Sequence, residues 1–172
     1  MPENEKRLQF LLDMLKETGV SKRELARRME MSYQNMFVYF QRDDMKMSQA
    51  EVMASKLGYE LNFSLNGNKR KQKADKLVME LEGIVGDNAK LQRLAFLQIA
   101  MKLNGIERKA LAQQLELNYT GVNRWFRVDD IAISYLFKIA ELYGLKLCIS
   151  SKKTGRAKFG EISSNEVTKE SE

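Results

Sequence analysis

Residues 22–40 read KRELARRMEMSYQNMFVYF, and residues 108–126 read RKALAQQLELNYTGVNRWF. Set one above the other, they align: Leu25-Ala26 over Leu111-Ala112, Glu30 over Glu116, Tyr33 over Tyr119, Phe40 over Phe126, each pair 86 positions apart. The offset holds outward in both directions without a gap. Upstream it pairs Arg7 with Arg93, Leu8 with Leu94, Phe10 with Phe96, Leu11 with Leu97 and Gly19 with Gly105. Downstream it pairs Asp43-Asp44 with Asp129-Asp130, Ser48 with Ser134, Ala54 with Ala140, Gly58 with Gly144 and Leu61 with Leu147. Roughly three residues in ten are identical over about 58 positions, and most other pairs conserve apolarity, which marks a duplication. The chain divides accordingly into a first domain at 1–65, a basic linker and helix at 66–90, a second domain at 91–150 and a polar tail at 151–172.

Each copy reads as a run of short helices closed by a strand. Leu8, Leu11, Leu12 and Leu15 fall on one helical face, and Gly19 ends that helix as a C-cap. Ser21 is an N-cap, with Glu24 three residues on in a capping-box pattern. The next helix buries Leu25, Ala26 and Met29. Glu30-Met31 turn the chain into Ser32, a second N-cap, and a helix from Tyr33 to Gln41. Asp43-Asp44 mark a loop. Ser48 caps a further helix with Val52, Met53 and Leu57 inward, ending at Gly58. YELNFSL at 59–65 alternates in strand fashion, and its counterpart is LKLCIS at 145–150. In the linker, NGNKRKQK carries a basic run and DKLVMELEGIVG has helical periodicity. The tail from Lys152 is polar and reads as disordered.

Two short helices joined by a tight turn, with a small Ala inside the first where the helices cross closely, make a helix-turn-helix pattern. The Leu-Ala pair, Met29 or Leu115, the Met31/Leu117 turn, the Ser/Asn cap and Met36/Val122 together resemble the lambda-repressor/Cro type of DNA-binding domain. The next helix, ending LGYEL or YGLKL, is similar to that family too. The resemblance covers about two-thirds of the chain, as two tandem copies. It implies a mainly α fold of two tandem lambda-repressor-like domains, each ending in a short β-strand able to pair with the other. Glu30 and Glu116 depart from the pattern, since the family turn often holds glycine there and another residue needs a less favourable backbone angle. The paired aspartates also depart from it: beside phosphate they repel unless they cap a helix or pair locally.

Composition narrows the function. The chain has 172 residues, no histidine and one cysteine. That set provides no Ser/His or Cys/His triad, no usual metal cluster and no internal disulfide. There is also no P-loop and no dinucleotide-binding turn, so no enzyme activity, cofactor or metal is expected. No apolar run is long enough for a membrane span and the N-terminus lacks a signal-peptide pattern, so a cytoplasmic, nucleoid-associated location is expected. The net charge of +6 favours a polyanionic partner. It is unevenly held: residues 1–65 carry 10 basic and 10 acidic side chains, residues 91–150 carry 8 and 5.

The resemblance implies that the second helix of each motif enters the major groove. By spacing, Tyr33, Gln34, Asn35, Phe37 and Val38 face outward in the first copy, and Tyr119, Thr120, Gly121, Asn123 and Arg124 in the second. Gln34 and Asn123 suit adenine, Arg124 suits guanine, and Val38 and Thr120 suit a thymine methyl. Lys22, Arg23, Arg108, Lys109 and Arg127 suit phosphates, which position without specifying sequence. Tyr33 and Tyr119 fit equally well as residues packed across the turn, and Trp125, Phe40 and Phe126 as core. Cys148 reads as a small buried residue. The KRKQK run fits a phosphate-binding arm or a solvated linker.

The expected function is that of a bacterial-type transcriptional regulator of double-stranded DNA. The duplication would make it a covalent pseudo-dimer on a two-part asymmetric site. The alternative is a protein-interaction or antitoxin-like module, in which Phe37 marks a protein interface on the first domain and only the second domain binds DNA. Segments 59–65 and 145–150 are free to pair within one chain or between two.

Overall fold

The structure is a computed structural model and describes residues 6–67 and 92–154. Among these residues the protein is mainly helical, with a small two-stranded antiparallel sheet. In chain order the elements are α1 (Gln9–Thr18), α2 (Lys22–Arg28), α3 (Tyr33–Arg42), α4 (Met47–Lys56), β1 (Tyr59–Asn66), α5 (Ala95–Leu103), α6 (Arg108–Gln114), α7 (Tyr119–Val128), α8 (Ile133–Tyr143) and β2 (Lys146–Lys153). The linker helix, the KRKQK run and the tail beyond residue 154 lie outside the described residues.

The described residues form two compact units. The first takes residues 6–62, 132–134 and 149–154; the second takes 63–67, 92–131 and 135–148. In the first unit α1 packs on α4, and α2 on both α3 and α4. Its core holds Leu8, Leu11, Leu25, Met36, Met47 and Met53, all essentially inaccessible. In the second unit α6 packs on α7 around Leu94, Leu97, Leu111, Val122 and Leu136. Phe63 and Phe96 stack there with centroids 6.2 Å apart. Ala26 and Ala112 are each 2% exposed, consistent with a helix crossing too close for a larger side chain.

The turn after α2 explains how two helices meet so tightly. Met31 N–H donates to Ala26 C=O at 3.0 Å and Glu30 N–H to Arg27 C=O at 3.1 Å, a Schellman motif. Leu117 N–H to Ala112 C=O and Glu116 N–H to Gln113 C=O repeat it at 2.8 and 3.2 Å. The motif requires a left-handed residue, and Glu30 (φ 54°) and Glu116 (φ 56°) supply it without being glycine.

The Arg and Asp residues repeated in both copies have a structural cause. Asp43, left-handed at φ 54°, ends α3 and accepts from the backbone N–H groups of Arg7 (2.7 Å) and Leu8 (3.0 Å) at the start of α1. Arg7 Nε returns a bond to Asp43 C=O at 2.9 Å. Asp129 does the same for Arg93 and Leu94 in the second unit, at 2.7 and 2.9 Å. Asp44 accepts from Ser134 N–H and Oγ–H at 2.9 and 2.7 Å, beside a bridge between Lys46 and Ala132, all within the first unit. Asp43, Asp44 and Asp129 therefore cap helices distant in sequence, whereas Asp130 accepts from the N–H of the adjacent Ile131 at 3.0 Å.

Several sequence expectations change. Ser21 and Ser32 are N-caps, accepting from the backbone of Glu24 and Asn35. The Glu24 side chain makes no capping box, because it binds Arg27 at 2.6 Å and Arg28 at 3.1 Å instead. Ser48 is not a cap: α4 starts two residues earlier than expected, with Lys46 at the N-cap. Val52 is 45% exposed rather than inward. Met29, Trp125 and Cys148 are half-buried, Trp125 lying 5.0 Å from the Tyr135 ring. In β1, Tyr59, Phe63 and Leu65 are buried as the alternation predicts, while Leu61 is half-buried. β2 runs to Lys153, three residues past its predicted end, and it pairs with β1 of the same chain. Thr154 N–H closes the ladder on Gly58 C=O at 3.0 Å.

Candidate nucleic-acid interface

The outer face of α3 begins at the Ser32 cap, whereas that of α7 begins at Asn118, whose side chain makes no capping bond. In α3, Tyr33, Gln34, Asn35 and Phe37 are exposed, and Val38 is half-buried rather than outward. Val38 and Asn35 line a cleft of about 580 Å³ with Tyr39, Arg42, Lys46 and Gln49. Tyr33, although exposed, packs back across the turn onto α2. Its ring lies under the Arg23 guanidinium, 4.9 Å away, and 6.3 Å from the Phe37 ring. Arg23, read as a phosphate ligand, is thus stacked on an aromatic face while still exposed.

In α7, Tyr119, Thr120 and Arg124 are exposed, Tyr119 by 52%. Gly121 is half-exposed, and nothing stands within 4 Å of where a Cβ would project. Lys109 and Arg127 are exposed. Asn123 departs from its expected role. It is half-buried, and its Oδ1 accepts from Arg108 Nη1 at 3.1 Å, so a cation already stands against the acceptor that an adenine pair would use.

The first residue of each motif also departs from expectation. Lys22 and Arg108, read as phosphate ligands, are half-buried and lie over Phe40 and Phe126, at 4.9 and 4.1 Å from the ring centroids. Each cation fastens the start of one helix to the end of the next, and the two aromatic rings are at equivalent positions of the repeat. Phe40 and Phe126 are core residues, as expected.

The local charge is not simply the sum of basic residues. Arg27 and Arg28 are held by Glu24, whose carboxyl is drawn down to about 2, first by the Arg27 hydrogen bond and with help from Arg28, against partial desolvation. Exposed cations around the two faces include Arg23, Arg42 and Lys46 in the first unit and Lys109, Arg124 and Arg127 in the second. Arg42, the last residue of α3, and Lys46, just before α4, line the cleft and were missed in the sequence because they flank two acids. Only the turning of Asp43 and Asp44 toward helix ends separates them in role.

Among the described residues no cluster of His, Cys, Asp and Glu is arranged to hold a metal ion, and no helix is long and apolar enough to cross a membrane. No protein-family model, no curated protein and no solved structure matches this chain.

Proposed function

We propose that this protein is a sequence-specific regulator of transcription that binds double-stranded DNA through two tandem helix-turn-helix domains of the lambda-repressor type, with α3 and α7 as recognition helices. One observation carries the proposal. In both copies the second helix of a tightly joined pair presents, over its first two turns, exposed side chains suited to base edges: Tyr33, Gln34 and Asn35 in one, Tyr119, Thr120 and Arg124 in the other. Having both copies on one chain suits a two-part, asymmetric site, since the two faces carry different residues. Binding needs no chemistry on the DNA, because occupancy alone blocks or recruits polymerase. On this view the protein works in the bacterial cytoplasm, at the nucleoid.

The test is selection from random duplexes by the full chain, followed by anisotropy at several salt concentrations. The expected result is a two-part enriched site whose affinity falls steeply with salt. Absence of enrichment, with only weak salt-labile binding, would overturn the proposal.

A second reading is favoured by one observation. Phe37 is 46% exposed beside Tyr33 on the less basic copy, which suits a protein contact on the first domain. Arg124→Ala and Phe37→Ala separate the two. If only the second domain binds DNA, Arg124→Ala weakens binding and Phe37→Ala leaves it unchanged.

A further inference from the structure

Asn123 in α7 is held by a partner that decides what it can offer. Arg108 Nη1 lies 3.1 Å from Asn123 Oδ1. A guanidinium has five donors and no acceptor, so the amide atom facing it is the carbonyl oxygen. Arg108 is anchored in turn by its stack on Phe126, 4.1 Å from the ring centroid. Among the described residues nothing holds Asn123 Nδ2, which keeps its two protons for an incoming group.

An unrestrained asparagine reads adenine with both ends, Oδ1 accepting from N6 and Nδ2 donating to N7. Here a cation stands against Oδ1. An adenine N6 amino group approaching that oxygen meets positive charge and competing N–H donors. Guanine places its O6 acceptor there instead, and its N7 accepts as well. The pair Arg108–Asn123 thus behaves as a donor-only reader.

We propose that Arg108 is a positioning residue that sets the base specificity of α7, turning Asn123 from an adenine reader into a reader of guanine. The inference rests on the DNA-binding reading above. The first copy lacks the device: Phe37 stands at the Asn123 position, and Lys22 at the Arg108 position lies over Phe40. The two half-sites therefore differ at this position, one read by hydrogen bonds and one by an apolar ring.

The experiment is duplex selection with four full-length proteins: the native chain, Asn123→Ala, Arg108→Ala and Arg108→Lys. The base pair whose preference disappears in Asn123→Ala identifies the position read. There the native chain prefers guanine over adenine by about tenfold. Arg108→Ala moves that ratio severalfold toward adenine, and Arg108→Lys, which keeps a donor, retains guanine. A general loss of packing or of a phosphate contact lowers affinity for all sequences alike and leaves the ratio unmoved. The proposal is overturned if the native chain prefers adenine there, if Arg108→Ala leaves the ratio unchanged, or if Asn123→Ala flattens no position. A native chain that enriches no sequence overturns the DNA-binding reading itself.

Discussion

Replacing Asp43 tests the device that ties α3 to α1. Its carboxylate accepts two backbone N–H groups, from Arg7 at 2.7 Å and Leu8 at 3.0 Å, and both belong to an N-terminus with no other cap. Loss of such a cap costs about 1–2 kcal/mol. Asp43 also sits at φ 54°, where alanine is less tolerated than aspartate by up to about 1 kcal/mol. Asp43→Ala is therefore expected to cost about 2–3 kcal/mol. Asp43→Gly loses the cap but relaxes the backbone, and should cost about 1–2 kcal/mol. Asp43→Asn keeps one acceptor and the left-handed conformation, and should cost about 1 kcal/mol. The assay is urea unfolding followed by far-UV circular dichroism, read as midpoint shifts at constant slope. Asp129→Ala is the internal repeat of the experiment in the second unit, where the single tryptophan, Trp125, reports it by fluorescence. A cost under about 0.5 kcal/mol for Asp43→Ala would refute the capping assignment. Equal losses for Asn and Ala would refute the division into a cap and a backbone contribution.

Three other outcomes are expected. Glu30→Gly and Glu116→Gly should each stabilise the fold by about 0.5–1 kcal/mol in the same unfolding assay, since glycine relieves the left-handed strain and returns part of the gain as chain entropy; destabilisation would mean the glutamate side chains make contacts that outweigh the strain. Gly121→Ala should raise stability by about 0.5–1 kcal/mol, because alanine favours a helix interior and the space there is open, while anisotropy shows weaker DNA binding if the first turn of α7 approaches a groove closely. The Glu24 carboxyl is depressed in the folded state from 4.5 to about 2, so its contribution is present above 4.5 and is lost as pH falls toward 2. The effect is small and screened by salt because the pair is exposed, and an acid titration of melting temperature should be flatter in Glu24→Gln than in the native chain.

The duplication shows how far a one-dimensional record carries. A gapless offset of 86 residues, the apolar spacing around Leu25-Ala26 and Leu111-Ala112, and the Ser21 and Ser32 caps are local or repeated signals. They identify the helices, the tight turns and the left-handed glutamates, because each depends on residues a few positions apart. Strand character at 59–65 was legible for the same reason, from alternation alone.

What lies beyond local spacing came from tertiary contact. Asp43 and Asp129 look like loop acids that would repel a phosphate until the fold brings them to helix starts 35 and 36 residues upstream. Lys22 and Arg108 look like free cations until Phe40 and Phe126 come beneath them. Asn123 looks like an adenine reader until Arg108, 15 residues earlier, takes its oxygen. A sequence lists donors and acceptors. Which of them remain unspent for a partner depends on distances that arise only when separate helices pack.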